Sequence, residues 1–270
     1  MGPQKESGRL MLDRFGPRRT VLAAAGAVVA ALTAVAPAAA APVSTAAVST
    51  DAVSPPPVNP AVIGGAQLAG RGVIVSHAPG PGPKLPAIKA SAWIVADAGT
   101  GQVLAAKDPH GWFRPASTLK VLTAISLIPV LNPDATTVAS KQATSVSPNI
   151  VGLLTGHAYK ISDLFTALLT ISANDAAMAL TQAAGSLSQG MSVINAEARQ
   201  LQADDTVAVT PNGLDAPGQH TSAYDLALFA RQALTLPAFL KYDQTRSATF
   251  RISRKKSVGL YNQNSLLATY

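Results

Sequence analysis

Ser117 and Lys120 stand three residues apart in the stretch RPASTLK, residues 114–120. A serine hydroxyl is a weak nucleophile and needs a base beside it. A lysine amine can serve when burial lowers its pKa from about 10.4 towards neutrality. The run that follows, VLTAISLIPVL, is apolar on nearly every side until Asn132-Pro133. That pattern predicts a helix buried all round, with Ser117 in its first turn and Lys120 one turn further on the same face. A lysine so placed is desolvated. The helix N-terminus adds free amides and partial positive charge near Ser117, which suits an anionic intermediate. The same residues are also compatible with Ser117 capping the helix and Lys120 snorkelling to water. Ser253 and Lys256 repeat the spacing in a polar stretch, where nothing would tune the amine.

A second polar constellation, Ser172 and Asn174, interrupts the apolar segment ISDLFTALLTISANDAAMALTQAAG. The segment predicts a helix capped at Ser162, a break at residues 172–174 and a second helix ending at Gly185. Polar groups in such surroundings cost free energy unless partnered. The Ser172 hydroxyl could pass a proton, and the Asn174 amide could hold both the lysine and a substrate amide. A plain helix–helix turn is the alternative, and Ser147-Pro148-Asn149 shows the same spacing in a surface loop.

These residues need a scaffold, and the chain has room for one substantial domain: 270 residues, 48% of them apolar. There is no cysteine, which excludes disulfides and thiol catalysis. Residues 1–90 carry 8 Lys/Arg against 3 Asp/Glu, residues 91–270 carry 13 against 11, so most of the net charge of +7 lies outside the expected domain. Nucleic-acid binding is therefore not expected. Arg14, Arg18 and Arg19 precede the uncharged run TVLAAAGAVVAALTAVAPAAAA. This predicts an export signal over 1–40, cleaved after Ala40, by the general or the twin-arginine route; an uncleaved anchor is the alternative. Residues 41–86, rich in Pro, Ala and Ser, read as an extended linker, and the domain spans 87–270. It opens with a hairpin, Trp93–Val95 and Val103–Ala105, turning at Gly99 and Gly101. His77, His110, His157 and His220 read as exposed, with no metal site. Asp175 reads as support for a helix's first turn, Asp215 as a turn residue, Ser222 and Asp225 as a capping pair, and Arg251–Lys256 as a solvated edge or turn.

Together the motifs resemble the serine D-alanyl-D-alanine carboxypeptidases, the low-molecular-mass penicillin-binding proteins. The likeness continues through SAWIVADAGTGQVLAAKDPHGWFRPASTLK, LTISANDAAMAL, TPNGLDAPGQHTSAYDLALFAR and YNQNSLLATY, in order. The resemblance implies an α/β (α+β) domain of the serine β-lactamase and penicillin-binding-protein type, an antiparallel sheet with a helical subdomain. It implies Ser117 as the acylated nucleophile, Lys120 as its base, and Ser172 and Asn174 completing the relay and substrate contacts, with no metal or cofactor. The implied substrates are peptidoglycan stem peptides ending in D-Ala-D-Ala, with β-lactams as covalent mimics, outside the cytoplasmic membrane in the periplasm or cell wall; peripheral or N-terminally anchored membrane association fits too. The family's third motif, Lys-Thr-Gly or a variant, would lie beyond YNQNSLLATY, so the C-terminal strands are expected to be missing from this chain. His220-Thr221-Ser222 and Lys256-Ser257-Val258-Gly259 do not replace it. A catalytically impaired fragment or a non-catalytic cell-wall-binding relic of that family is the alternative. A class A β-lactamase fits less well, because that mechanism needs a glutamate-activated water, and the chain's glutamates are Glu6, in the export segment, and Glu197, on an expected exposed helix.

Overall fold

The computed structural model describes residues 62–76 and 85–268. The expected export signal, residues 1–40, lies outside them. In chain order the elements are β1 (Val73–Val75), β2 (Trp93–Ala96), β3 (Val103–Lys107), α1 (Lys120–Leu127), β4 (Thr136–Val138), α2 (Lys141–Thr144) and β5 (Ala158–Lys160). They continue as α3 (Ile161–Ile171), α4 (Asn174–Ala183), α5 (Leu187–Gln200), α6 (Ala223–Leu234), α7 (Pro237–Asp243), β6 (Ser247–Arg251) and β7 (Ser257–Tyr261). The strands form one three-stranded antiparallel sheet, order β1-β3-β2, and two antiparallel pairs, β4-β5, whose strands are separated in sequence by α2, and the β6-β7 hairpin.

The β2–β3 hairpin forms where the alternating apolar residues and the glycine turn predict it. Asp97 holds the turn, accepting from the Thr100 amide at 2.6 Å and hydroxyl at 2.8 Å. The expected linker, in contrast, is corrected over residues 62–76. Val73, Ile74 and Val75 pair with Lys107, Ala106 and Ala105 of β3, and Leu68 is buried. Three β-branched residues after Gly72 suffice for an edge strand once a partner is in place, and the surrounding Pro-, Ala- and Ser-rich composition hides so short a signal.

Beside the sheet, α1 is the hub of a helical layer with α3, α4, α5 and α6 around it. Seven of its eight residues are buried, including Leu122, Ile125 and Leu127. Each such leucine or isoleucine contributes about 1.5–3 kcal/mol on leaving water. Phe165, Leu168, Leu180, Ile194 and Phe229 close around them. The helix stops at Leu127 rather than running on to Asn132, because Pro129 cannot donate to the ladder. α4 and α5 approach so closely that a Cβ on Gly190 would lie 2.1 Å from the Thr181 carbonyl oxygen.

Two further expectations are corrected. α3 begins at Ile161 with Lys160 as its cap residue, so Ser162 lies inside the first turn; its carbonyl accepts from Thr166. His110 is not simply exposed: its Nδ1 lies 2.6 Å from Asp205 Oδ2, and its ring stacks on Tyr224 at 4.7 Å. The Ser222 cap forms as expected, its hydroxyl accepting from the Asp225 amide at 3.1 Å.

Candidate active site

Ser117 lies on a 3-10 turn, Ala116–Leu119, that runs directly into α1. Three residues per turn place positions i and i+3 one above the other. Ser117 therefore stands over Lys120, and the Lys120 Nζ to Ser117 Oγ distance is 2.8 Å. The serine is exposed, whereas the lysine is 3% exposed. Burial pushes the Lys120 amine down to about 8. Among the described residues no carboxylate pairs with it, so nothing offsets the desolvation. A neutral amine here has a lone pair for the serine proton and N–H groups for a second partner.

That second partner is Ser172, whose Oγ lies 3.1 Å from Lys120 Nζ. Ser172 caps α3 in the left-handed conformation, φ 58° and ψ 41°. A non-glycine residue held there costs roughly 1 kcal/mol or more, which the neighbouring packing must offset. The break turns the hydroxyl to the lysine and lets α4 restart at Asn174. Asn174 is 2% exposed; its Nδ2 donates to the Ser147 carbonyl at 2.8 Å and its backbone amide to the Asn149 carbonyl at 2.7 Å. Its Oδ1 is buried with no partner. A buried acceptor left so is costly. The structure thus joins Ser117, Lys120 and Ser172 in one hydrogen-bonded chain, and places Asn174 two residues beyond Ser172 at the start of α4.

Three supports were not apparent from sequence. The 147–149 loop is exposed, as its composition suggests, yet its carbonyls hold Asn174. Asp175 does more than favour a helix start: its 1%-exposed carboxylate accepts from the amides of Val151, Gly152 and Leu153 at 3.0, 2.9 and 3.0 Å. It thereby ties that loop to α4. Gly213, φ 80°, lies against the turn that carries Ser117, and a Cβ there would sit 1.8 Å from the Ala116 carbonyl oxygen. An aspartate directly after Ser-Ala-Asn and a glycine in PNGL are the available signals, and neither names its partner.

The turn is anchored on both sides. Phe113 and Thr221 exchange backbone hydrogen bonds of 2.8 and 2.9 Å, and Thr123 Oγ1 donates to the Pro211 carbonyl at 2.7 Å. Asp215 takes part in an exposed ion pair with Arg114 at 2.6 Å, a pairing worth little in water.

A helical layer against an antiparallel sheet, with a serine turn and a buried lysine opening the central helix, defines a penicillin-binding-protein fold. Two solved structures share it. One is a D-alanyl-D-alanine carboxypeptidase from Mycobacterium tuberculosis H37Rv, with TM-score 0.68 and 36% identity over 72% of this chain and 74% of that one. The other is penicillin binding protein 6B from Escherichia coli, with TM-score 0.61 and 32% identity over 68% and 61%. Residues 80–270 match the sequence model of the family described as D-alanyl-D-alanine carboxypeptidase, and the chain belongs to that family. The carboxypeptidase DacB2 of M. tuberculosis is 38% identical over 183 residues, 67% of this chain and 62% of that protein. DacD of Salmonella typhimurium is 36% identical over 206 residues, 72% and 50%. The chain thus spans between half and two thirds of the length of these curated relatives.

Proposed function

We propose that this chain is an exported serine D-alanyl-D-alanine carboxypeptidase that removes the terminal D-alanine of peptidoglycan stem peptides and is acylated by β-lactams. One observation carries the reading: the Lys120 amine, buried and lowered to about 8, lies within hydrogen-bond distance of both Ser117 and Ser172. In this reading Ser117 Oγ attacks the carbonyl carbon of the penultimate residue while Lys120 takes its proton. Ser172 passes a proton to the departing D-alanine nitrogen, and water later releases the acyl group from Ser117. Asn174 Oδ1 accepts from a substrate amide. The proton thus travels along a chain already in place, which suits general acid–base catalysis near neutral pH.

Family membership supports the substrate class, since the relatives named above are carboxypeptidases of this type. The basic and apolar N-terminal segment supports export, with residues 1–40 removed and the rest working outside the cytoplasmic membrane, at the wall. Among the described residues no helix is long and apolar enough to cross a membrane.

The test is labelling with a fluorescent penicillin, read by intact mass. The parent should gain one adduct, and Ser117→Ala should gain none. A folded parent that takes no label would overturn the reading.

A further inference from the structure

Trp112 is 66% exposed, unusual for an indole that is also tightly held. Its Nε1 donates to Asp205 Oδ1 at 3.0 Å, and the other carboxylate oxygen of Asp205 meets His110 Nδ1 at 2.6 Å. The His220 ring stacks on Trp112 with centroids 4.2 Å apart and planes within 19°. His220 is itself fixed, by its Nδ1 against the Gly218 carbonyl at 2.8 Å and by backbone pairing with Val207. The indole is thus backed on one side and pinned at its nitrogen while most of its surface stays in water. Such a side chain gives contact area at little entropic cost.

Trp112 forms one wall of a cleft of about 410 Å³. Arg71 and Asp108 line the same cleft, and neither side chain has an ion pair or hydrogen bond among the described residues. Gly111 leaves room for the carboxylate, since a Cβ there would lie 2.5 Å from Asp108 Oδ2. The cleft therefore offers a fixed aromatic surface, a guanidinium donor and a carboxylate acceptor that have no partner among the described residues and are of opposite charge, and His110, which is paired to Asp205. An apolar partner would leave both charges unpaired, and an anion or cation would meet one ally and one opponent. A pyranose ring fits all three features. Its C–H face can lie on the indole, and its hydroxyls both accept from Arg71 and donate to Asp108.

We propose that this cleft binds a sugar ring of a β-linked, uncharged oligosaccharide, of the kind that forms the glycan strand of the wall. Only the source of the sugar rests on the proposed function; the site does not depend on chemistry at Ser117. Trp112 is five residues before Ser117, and the Phe113–Thr221 pairing fixes the intervening segment. A glycan held there lies along the segment that leads into the nucleophile's turn.

The test titrates chitotetraose into the full chain with Trp93→Phe, which leaves Trp112 as the indole that reports, and repeats it by calorimetry on the parent. A saturable change with a dissociation constant on the order of a millimolar is expected for one stacked ring. Trp112→Ala should weaken binding by at least about tenfold. Arg71→Ala and Asp108→Asn should each weaken it about threefold to tenfold while leaving thermal stability unchanged, because neither side chain has a partner among the described residues. All three variants should keep penicillin labelling of Ser117. No saturable binding by the folded parent overturns the proposal, as does binding that persists undiminished in Trp112→Ala and Arg71→Ala. Sugar binding by a chain that takes no penicillin would support the cleft and remove the carboxypeptidase reading instead.

Discussion

In the proposed chemistry Ser117 and Lys120 divide one task between an exposed hydroxyl and a buried amine, and the division can be measured. Only the neutral amine can take the serine proton, so the labelling rate should rise with pH through about 8, where burial places Lys120, and level off above it. Lys120→Arg keeps a cation that does not give up its proton near neutral pH. It should lower the labelling rate by about 10²–10⁴. Stopped-flow labelling between mildly acidic and alkaline pH checks both. A pH-independent parent rate would show that Lys120 is not the base. Ser117 and Lys120 were legible in sequence because their relation is local, a three-residue spacing ahead of an apolar run. Asn174 was legible as a polar residue out of place, but its dependence on the carbonyls of Ser147 and Asn149 was not.

At the scale of elements, the site depends on two loops pressed against helix starts. Asp175→Asn removes a carboxylate that accepts from three loop amides and puts an amide donor among them. Leaving buried donors unmatched should cost about 1–3 kcal/mol. Because the same loop holds Asn174, labelling should also slow by about tenfold to a hundredfold in the folded fraction. Hydrogen exchange at residues 151–153 should rise in parallel; a variant that is less stable but labels at the parent rate would confine Asp175 to a structural role. Gly213→Ala tests the other loop, and Gly218→Ala is its control. Both glycines have positive φ, 80° and 82°, but only Gly213 has a neighbour within 4 Å of the added Cβ. Gly213→Ala should cost about 1–3 kcal/mol beyond the control, read as the difference in Tm. The hairpin and the broken helix pair could be read from alternation and glycine because those signals lie within one segment. The strand at Val73–Val75, the tie of Asp175 to residues 151–153 and the bond of His110 to Asp205 each join distant segments, and neither composition nor periodicity encodes such partners.

For the whole molecule, the buried ionisable groups set how stability follows pH. Asp225 is 1% exposed, and burial raises its carboxyl to about 6 from 3.8, against the lowering effect of the Thr206 hydrogen bond. Between those values the folded chain holds a proton that the unfolded chain has released, so Asp225 makes stability fall as pH rises from about 4 to about 6. Lys120 works the other way. Its amine lies at about 8 in the folded chain against 10.5 when exposed, so between those values the unfolded chain holds the extra proton. Stability should therefore rise across that window, and below it the charged amine carries its full burial cost. Denaturant midpoints measured from acid to alkaline pH should show a fall and then a rise; Asp225→Asn should shrink the first, to which the burial-raised carboxyls of Asp243 and Glu197 also contribute, and Lys120→Met should flatten the second. The second comparison also bears on the chemistry. If the parent and Lys120→Met run parallel above pH 8, Lys120 does not shed its proton in the folded chain at that pH, and the amine proposed to activate Ser117 is not the one that titrates.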